Sequence, residues 1–283
     1  MFGNSTFFSI CGAPKSGTKS LYFYLKSHPN ICMAEPKETN FFQHNYHRGF
    51  EWFESLFEPS QKAHAFGEAS PGNMIHSSAA ERISDHFPEA RLIFVLRDPV
   101  ERAYSQYCFG VMRGTQDPSQ SFSELIRSDD GTWGDRVLRL GLYYRQLTRF
   151  EKHFPRNQMA IHLFQDFRRD NEAFVRRLFK FLDVDESVEI DTSERHNRTR
   201  YPRSKRILKM AHAMWAPVKS VLPKSVLEQM YGLRSSVREL LFQSGTQEKP
   251  PMKSEDRAYL RDYYAEPNER LEDWLGRDLS HWT

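Results

Sequence analysis

Near its N-terminus the chain has an apolar run, a turn with two glycines and a helical pattern, in that order. The apolar run at residues 6–11 predicts a strand, the turn carries Gly12 and Gly17, and the helical pattern covers residues 19–28. A strand that leads through such a turn into a helix points successive backbone N–H groups, and the positive end of the helix dipole, at one place. This order predicts an α/β fold with an anion site at the turn.

Apolar runs alternate with helical patterns through the first 185 residues, which is typical of a parallel sheet with helices on both faces. We predict strands at residues 6–11, 31–34, 63–68, 91–96 and 159–164. We predict helices at residues 19–28, 77–87, 99–112, 142–153 and 171–182. Past Pro217 the pattern is helical and loop-like. The predicted fold class is a P-loop-type α/β fold, with a central parallel β-sheet flanked by helices and a more helical C-terminal part, in a single domain over residues 1–283.

Composition and charge exclude some classes of function. The chain has 40 Lys and Arg against 37 Asp and Glu, and its net charge of +3 predicts neither a nucleic-acid partner nor an anionic membrane. Cys11, Cys32 and Cys108 lack the spacing of a metal site, so we expect reduced thiols and no metal. No apolar stretch approaches the ~20 residues of a membrane span, and the N-terminus does not resemble a signal peptide. We therefore expect a cytoplasmic protein without a membrane span.

The turn has the glycine spacing of a P-loop but a different ending. Gly12 and Gly17 are five residues apart, whereas Thr18 interrupts the usual Gly-Lys-Ser ending and Lys15 adds a lysine inside the loop. We predict that this turn holds a phosphate group, and the alternative is an ordinary turn with a solvated lysine. The candidate anion-binding residues are Lys15, Ser16, Gly17, Thr18, Lys19 and Ser20.

A second candidate segment follows the strand at residues 91–96. Arg97 comes directly after that strand, and Ser105 lies two turns into the next predicted helix. An arginine at the end of a strand is typical either of an anion site or of a surface ion pair with a neighbouring carboxylate. The sequence leaves both interpretations open for this segment taken alone.

A third candidate segment follows the second predicted strand. Glu38 stands beside Lys37 and just before the aromatic pair Phe41 and Phe42. Aromatic neighbours that desolvate a carboxylate would tune it toward a general base. The alternative is a solvated Lys-Glu pair.

Together the three segments resemble the PAPS-dependent sulfotransferase family, which moves a sulfuryl group from 3'-phosphoadenosine 5'-phosphosulfate (PAPS) to an acceptor hydroxyl or amine. Residues 14–21, Pro-Lys-Ser-Gly-Thr-Lys-Ser-Leu, are similar to its 5'-phosphosulfate loop, and Arg97 with Ser105 matches its 3'-phosphate motif. Residues 37–42, Lys-Glu-Thr-Asn-Phe-Phe, resemble a segment of the heparan-sulfate-like branch. The resemblance continues in Gly-Glu-Ala-Ser-Pro at residues 67–71 and in Leu-Gly-Arg-Asp-Leu-Ser-His-Trp at residues 275–282, the latter like bacterial members.

The resemblance implies roles for these residues, with PAPS as co-substrate and no metal required. Lys15 would stabilise charge on the bridging oxygen, Thr18 and backbone N–H groups would hold the 5'-phosphate, and Glu38 would be the general base. The acceptor would be a small molecule, lipid or glycan. The remaining implied contacts are those of Arg97, Ser105 and Arg203 with the 3'-phosphate, and those of His44 and Ser70 with the acceptor.

The chain also departs from the family pattern. Lys19 stands where a threonine or serine is usual and adds charge near the phosphosulfate loop. The glycosaminoglycan enzymes carry a lysine where this chain has Ala69 and a tyrosine where it has Asn73. The basic run at residues 195–209, which contains Arg203, is typical of a solvated face or of a nucleic-acid site. The family resemblance implies a third interpretation, a loop that closes over the donor nucleotide.

Two rival functions come from different classes. A P-loop NTPase or small-molecule kinase would use Asp98 as the magnesium-binding acid, but Arg97 intervenes between the strand and Asp98. A non-enzymatic nucleotide-binding module would not need Glu38 beside the anion site.

Overall fold

The computed structural model describes residues 5–113, 115–117, 119–128, 133–193 and 250–282. The chain forms two compact units, each described below by itself. The first unit comprises Met1–Arg102, Arg139–Asn197 and Arg261–Thr283, and it contains all the strands of the described sheet. The second unit comprises Ala103–Leu138 and Arg198–Leu260.

The sheet of the first unit has five parallel strands in the order β2-β3-β1-β4-β5. The strands are β1 (Thr6–Gly12), β2 (Ile31–Met33), β3 (Ala65–Glu68), β4 (Arg91–Leu96) and β5 (Met159–Leu163). All five predicted strands are confirmed, with each end within two residues of its prediction. Because β3 and β4 flank β1 on opposite sides, the carboxyl end of β1 is the place where such sheets bind ligands.

Both faces of the sheet are buried, as continuous apolar strands require. Successive side chains of β1 and β4 alternate between two hydrophobic clusters: Phe7 lies in one and Phe8 in the other, as do Leu92 and Ile93. Helices α3 and α7 contribute side chains to the first cluster, and helices α1 and α9 contribute to the second. The predicted fold class, a parallel sheet with helices on both faces, is therefore confirmed.

The helices follow the predicted pattern closely where hydrophobic periodicity is strong. The described helices are α1 (Thr18–Lys26), α2 (Phe50–Glu54), α3 (Ala79–His86), α4 (Pro99–Arg113), α5 (Phe122–Arg127), α6 (Trp133–Arg139), α7 (Tyr143–Glu151), α8 (Phe164–Arg169), α9 (Asn171–Leu182) and α10 (Ser254–Leu275). The five predicted helices are α1, α3, α4, α7 and α9, and each ends within two residues of its prediction. Short 3₁₀ turns cover Tyr46–Arg48, Pro71–Met74, Arg156–Gln158 and Ser280–Trp282.

Polar contacts link α5 to the start of α10 in the described residues of the second unit. Asp256, which is 2% exposed, accepts hydrogen bonds from Ser123 at 2.8 Å and from Arg127 at 2.5 Å. Helix α5 begins with a capping box in which Ser121 and Glu124 satisfy each other's backbone N–H groups. The Ser-x-x-Glu pattern was the available sequence signal for this helix, which the periodicity did not predict.

Candidate active site

The glycine loop, residues 12–18, connects β1 to α1 at the carboxyl edge of the sheet. Gly17 has φ 83°, and a Cβ atom there would lie 2.8 Å from Phe167 and 2.9 Å from Phe164. Both the left-handed backbone and the close aromatic rings therefore require glycine. Lys15 also has a positive φ, 71°, so the loop turns sharply before the helix begins.

Polar groups of the glycine loop are left without a side-chain partner among the described residues. Ser16 is fully buried, and its hydroxyl has no hydrogen-bond partner among the described residues. Gly17 is the N-cap of α1 and supplies no side-chain cap, so the first-turn N–H groups lack that partner. An unpaired buried polar group costs about 1–3 kcal/mol. These groups fit an anion that would supply the missing acceptors.

The remaining loop candidates divide between two environments. Thr18 and Ser20 lie in the first turn of α1 and are 6% and 9% exposed, and Lys15 is half-buried. Lys19 is exposed, and its ammonium lies 5.9 Å from the ring centroid of Phe23, one turn further along α1. The structure thus brings Lys15, Ser16, Gly17, Thr18 and Ser20 together, while Lys19 lies along the outer surface of the helix.

Arg97 lies against the glycine loop. It follows β4, and its guanidinium donates a hydrogen bond to the Lys15 carbonyl at 3.1 Å and pairs with Glu101 at 3.6 Å. The side chain is 20% exposed and lies 5.3 Å from the Phe164 ring centroid. Burial lowers the pKa of Arg97, an effect that Glu101 opposes, but an arginine remains charged. The ion-pair interpretation is confirmed by the contact with Glu101, and the anion-site interpretation stays a prediction.

The structure does not test the other two members of the proposed 3'-phosphate set. Ser105 is in the part of α4 that belongs to the second unit, so its pairing with Arg97 stays a prediction. Arg203 and the basic run at 195–209 lie outside the described residues. Asp98, the acid required by the NTPase interpretation, accepts hydrogen bonds from the backbone N–H groups of Val100 at 2.8 Å and Glu101 at 3.4 Å. Asp98 thus caps the start of α4.

The carboxylate segment, residues 37–40, follows β2. Lys37 donates to the Glu38 carboxylate at 3.1 Å and to the Ala69 carbonyl at 3.5 Å. The side chain of Glu38 is 58% exposed and that of Lys37 is 17% exposed. The expectation that aromatic neighbours desolvate Glu38 is wrong, because Phe41 and Phe42 are directed into the hydrophobic core and are 1% and 0% exposed.

A buried carboxylate that the sequence analysis did not single out lies below the carboxylate segment. Glu68, the last residue of β3, is fully buried and accepts hydrogen bonds from Ser9, from Asn73 at 2.7 Å and from Thr39 at 3.2 Å. Burial raises the pKa of Glu68, and hydrogen bonds from hydroxyl groups and the charge of Lys37 oppose that rise. The sequence signal for this buried polar site was Ser9, because it is a polar residue within an otherwise apolar predicted strand.

The two residues implied as acceptor contacts have contrasting surroundings. Ser70 is fully buried, and its hydroxyl accepts a hydrogen bond from the Asn40 N–H at 3.0 Å. His44 is exposed, and its ring lies edge-on to the His76 ring at 5.7 Å between centroids. Burial lowers the pKa of His76, with smaller contributions from Arg82 and His44. An acceptor role for either residue stays a prediction.

The described residues contain neither a cluster suited to a metal ion nor a helix suited to spanning a membrane. No cluster of three or more His, Cys, Asp or Glu side chains has the geometry to hold a metal ion. None of the helices that the structure describes combines the length and the apolar character needed to cross a membrane.

Comparison with known proteins matches this chain to one family. The model of the sulfotransferase domain family matches residues 6–229. The chain is similar over its whole length to the crystal structure of a sulfotransferase from Alicyclobacillus acidocaldarius, with a TM-score of 0.71, 26% identity and 97% of each chain covered.

Two curated relatives carry longer chains. The human bifunctional heparan sulfate N-deacetylase/N-sulfotransferase 3 is 29% identical over 296 residues, which cover 97% of this chain and 31% of the relative. The mouse heparan sulfate glucosamine 3-O-sulfotransferase 3B1 is 32% identical over 177 residues, which cover 61% of this chain and 45% of the relative. The chain thus spans less than half the length of either relative.

Proposed function

Because the chain belongs to the sulfotransferase domain family, we propose that it transfers the sulfuryl group of PAPS to a hydroxyl or amine of an acceptor. The observation that carries this proposal is the glycine loop, which contains the buried hydroxyl of Ser16 and the uncapped start of α1, and whose Lys15 carbonyl accepts a hydrogen bond from Arg97. These groups are neutral donors and cations, which is the donor set that a phosphosulfate needs.

The protein's part in donor binding is to hold and neutralise negative charge. The N–H groups of the glycine loop and the hydroxyls of Ser16 and Thr18 hold the 5'-phosphate. Lys15 stabilises the charge that develops on the bridging oxygen when its bond to sulfur breaks. Arg97 contacts the 3'-phosphate. The family resemblance alone supports the same role for Ser105 and Arg203. No metal is needed in this scheme, because lysine and arginine supply the positive charge.

The transfer itself is an in-line displacement with a single proton transfer. The acceptor oxygen or nitrogen forms a bond to sulfur, and the bond from sulfur to the bridging oxygen breaks. Glu38 takes the proton of the acceptor, and adenosine 3',5'-bisphosphate leaves with the bonding electron pair. The Lys37 ammonium lies 3.1 Å from the Glu38 carboxylate and is its ion-pair partner.

Among small molecules, lipids and glycans, we propose a glycan as acceptor. The support comes from the two relatives, whose names specify heparan sulfate. Ala69 and Asn73, which replace a lysine and a tyrosine of the glycosaminoglycan enzymes, are both fully buried here. Because both side chains are buried, neither position offers this chain an acceptor contact. His44 is the candidate that orients the acceptor from the exposed side.

Ligand-induced stabilisation separates this proposal from the NTPase alternative. At about 100 times its dissociation constant, adenosine 3',5'-bisphosphate is expected to stabilise the fold by ~2.7 kcal/mol, a rise of several degrees in melting temperature. The rise should persist in EDTA, and ATP with magnesium at equal concentration should give a clearly smaller one. Stabilisation by ATP with magnesium and none by the bisphosphate would overturn the proposal.

Acceptor identity is tested with radiolabelled PAPS. N-desulfated heparan sulfate, N-sulfated heparan sulfate and a small phenol offer an amine, sugar hydroxyls and an aromatic hydroxyl. Incorporation of label into either polysaccharide supports a glycan acceptor. Incorporation into the phenol alone would overturn the glycan proposal and leave sulfuryl transfer standing.

A further inference from the structure

Glu68 is a buried carboxylate that the proposed reaction does not use. It ends β3 directly beside Ser9 of β1, its register partner. One carboxylate oxygen accepts from Ser9 and Asn73, and the other accepts from Thr39 at 3.2 Å. Burying a carboxylate is costly unless hydrogen bonds compensate it, so these donors are needed to keep it there.

The Thr39 hydroxyl links Glu68 to the carboxylate segment. While it donates to Glu68, it accepts a hydrogen bond from the Phe41 N–H at 3.2 Å. The neighbouring Asn40 N–H donates to Ser70, and Lys37 donates to the Ala69 carbonyl. The carboxylate segment therefore rests on residues 68–70 through its backbone and two of its side chains.

Glu38 needs such support because its own surroundings do little to fix it. Its side chain is 58% exposed, with Lys37 as its ion-pair partner. Asn40 adopts a left-handed φ of 50°, which costs energy unless the surrounding structure holds it. A base must lie within hydrogen-bond reach of the acceptor proton, and a misplacement of about 1 Å can cost about 100-fold in rate.

We propose that Glu68 is a positioning residue for sulfuryl transfer, which holds Thr39 and thereby places Glu38 against the acceptor. This inference rests on the proposed function of Glu38 as general base. Glu68 touches neither the donor nor the acceptor in this scheme, and it acts through the Thr39 hydroxyl.

The test compares two hydroxyls that donate to the same carboxylate. Thr39→Val removes the hydroxyl that reaches the carboxylate segment and nearly preserves volume, whereas Ser9→Ala removes a hydroxyl on β1. Thr39→Ser keeps the hydroxyl and is the rescue control. Turnover is measured with radiolabelled PAPS and N-desulfated heparan sulfate, and, without polysaccharide, as release of labelled sulfate to water. Affinity for adenosine 3',5'-bisphosphate is measured by calorimetry.

Thr39→Val is expected to lower kcat by about ten- to hundredfold, with the acceptor KM and bisphosphate affinity within about threefold of wild type. Thr39→Ser and Ser9→Ala should keep kcat within about threefold, even where Ser9→Ala lowers the melting temperature as much as Thr39→Val. If Thr39→Val does not fold, Thr39→Ala replaces it, because alanine removes the hydroxyl and demands no space.

Three outcomes would overturn the inference. The first is an unchanged kcat in folded Thr39→Val, and the second is an equal loss in Ser9→Ala, which would make Glu68 purely structural. The third is a loss in Thr39→Val while Glu38→Gln turns over normally, which would also remove Glu38 as base. A loss in Glu38→Gln with none in Thr39→Val leaves the proposed function intact and removes only the positioning role.

Discussion

The glycine loop and the carboxylate segment lie at the carboxyl edge of one sheet and are built in opposite ways. The glycine loop takes its shape from the backbone, through the positive φ of Lys15 and Gly17 and the rings that pack against Gly17. The carboxylate segment takes its place from polar side chains, chiefly the Thr39 hydroxyl on the buried carboxylate of Glu68. The first is a steric device, and the second is a hydrogen-bond network.

The difference teaches which changes each region tolerates. A steric device fails when volume is added, since close-packed atoms have nowhere to move. A buried polar network fails when one partner is removed at constant volume, because the remaining group is left unpaired. The four predictions below test this contrast, in order of decreasing effect.

Glu38→Gln tests whether the carboxylate segment supplies the general base. Glutamine keeps the shape but cannot take a proton, so turnover should fall by roughly 10²–10⁴, which is about 3–5 kcal/mol, with donor affinity within a few fold. The assay is transfer of label from PAPS to N-desulfated heparan sulfate. Glu51→Gln, an exposed change on α2, is the matched control. Wild-type turnover in Glu38→Gln would assign the base elsewhere, with His44 the next candidate.

Gly17→Ala tests the steric constraint on the glycine loop. The left-handed backbone and the clash with Phe164 and Phe167 together should cost about 2–4 kcal/mol of stability. Thermal unfolding measures that loss. Gly276→Ala is the matched control, because Gly276 has φ +61° and open space around it, so alanine there adds only the backbone cost. Equal losses for the two variants would show that the aromatic contact does not constrain the loop.

Arg97→Ala tests the charged border of the glycine loop. Loss of a charge-assisted contact worth about 1.5–3 kcal/mol should lower the affinity for adenosine 3',5'-bisphosphate about ten- to hundredfold. The affinity for adenosine 5'-phosphosulfate should fall far less. Calorimetric titration with both nucleotides gives the difference. Arg169→Ala, at a side chain that is 80% exposed, should change neither affinity. A similar loss for both nucleotides would mean that Arg97 supports the loop and does not read the 3'-phosphate.

Ser16→Ala should keep or raise the stability of the unliganded protein and lower its affinity for adenosine 3',5'-bisphosphate. Since the buried hydroxyl has no partner among the described residues, its removal should leave the unliganded protein as stable or more so. Bisphosphate affinity should fall by about 0.5–1.5 kcal/mol, or roughly two- to tenfold. Melting temperatures with and without ligand separate the two effects. A less stable unliganded protein would indicate that the hydroxyl serves the fold.

Hydrophobic periodicity predicted the five strands and helices α1, α3, α4, α7 and α9, because it is a local signal that burial on a sheet enforces. Hydrophobic periodicity did not predict the short helices α2, α5, α6 and α8. Each has at most seven residues, which is too few turns to show a helical period. The glycine loop was also predictable. Its strand, glycines and helix start are contiguous, so local geometry alone directs its N–H groups to one place.

The sequence by itself determined the fold class, and it predicted the glycine loop and Arg97 as parts of an anion site. Only the tertiary structure decided that Glu38 is exposed, that Ser70 is buried and that Glu68 links Ser9 to Thr39. Those two partners lie 59 and 29 residues from Glu68 along the chain. Pairing of β3 with β1 brings Ser9 to Glu68, and pairing of β3 with β2, which precedes Thr39, places the carboxylate segment beside it. Local patterns cannot specify such a network, because the donors that stabilise a buried carboxylate come from segments that meet only when the sheet has formed.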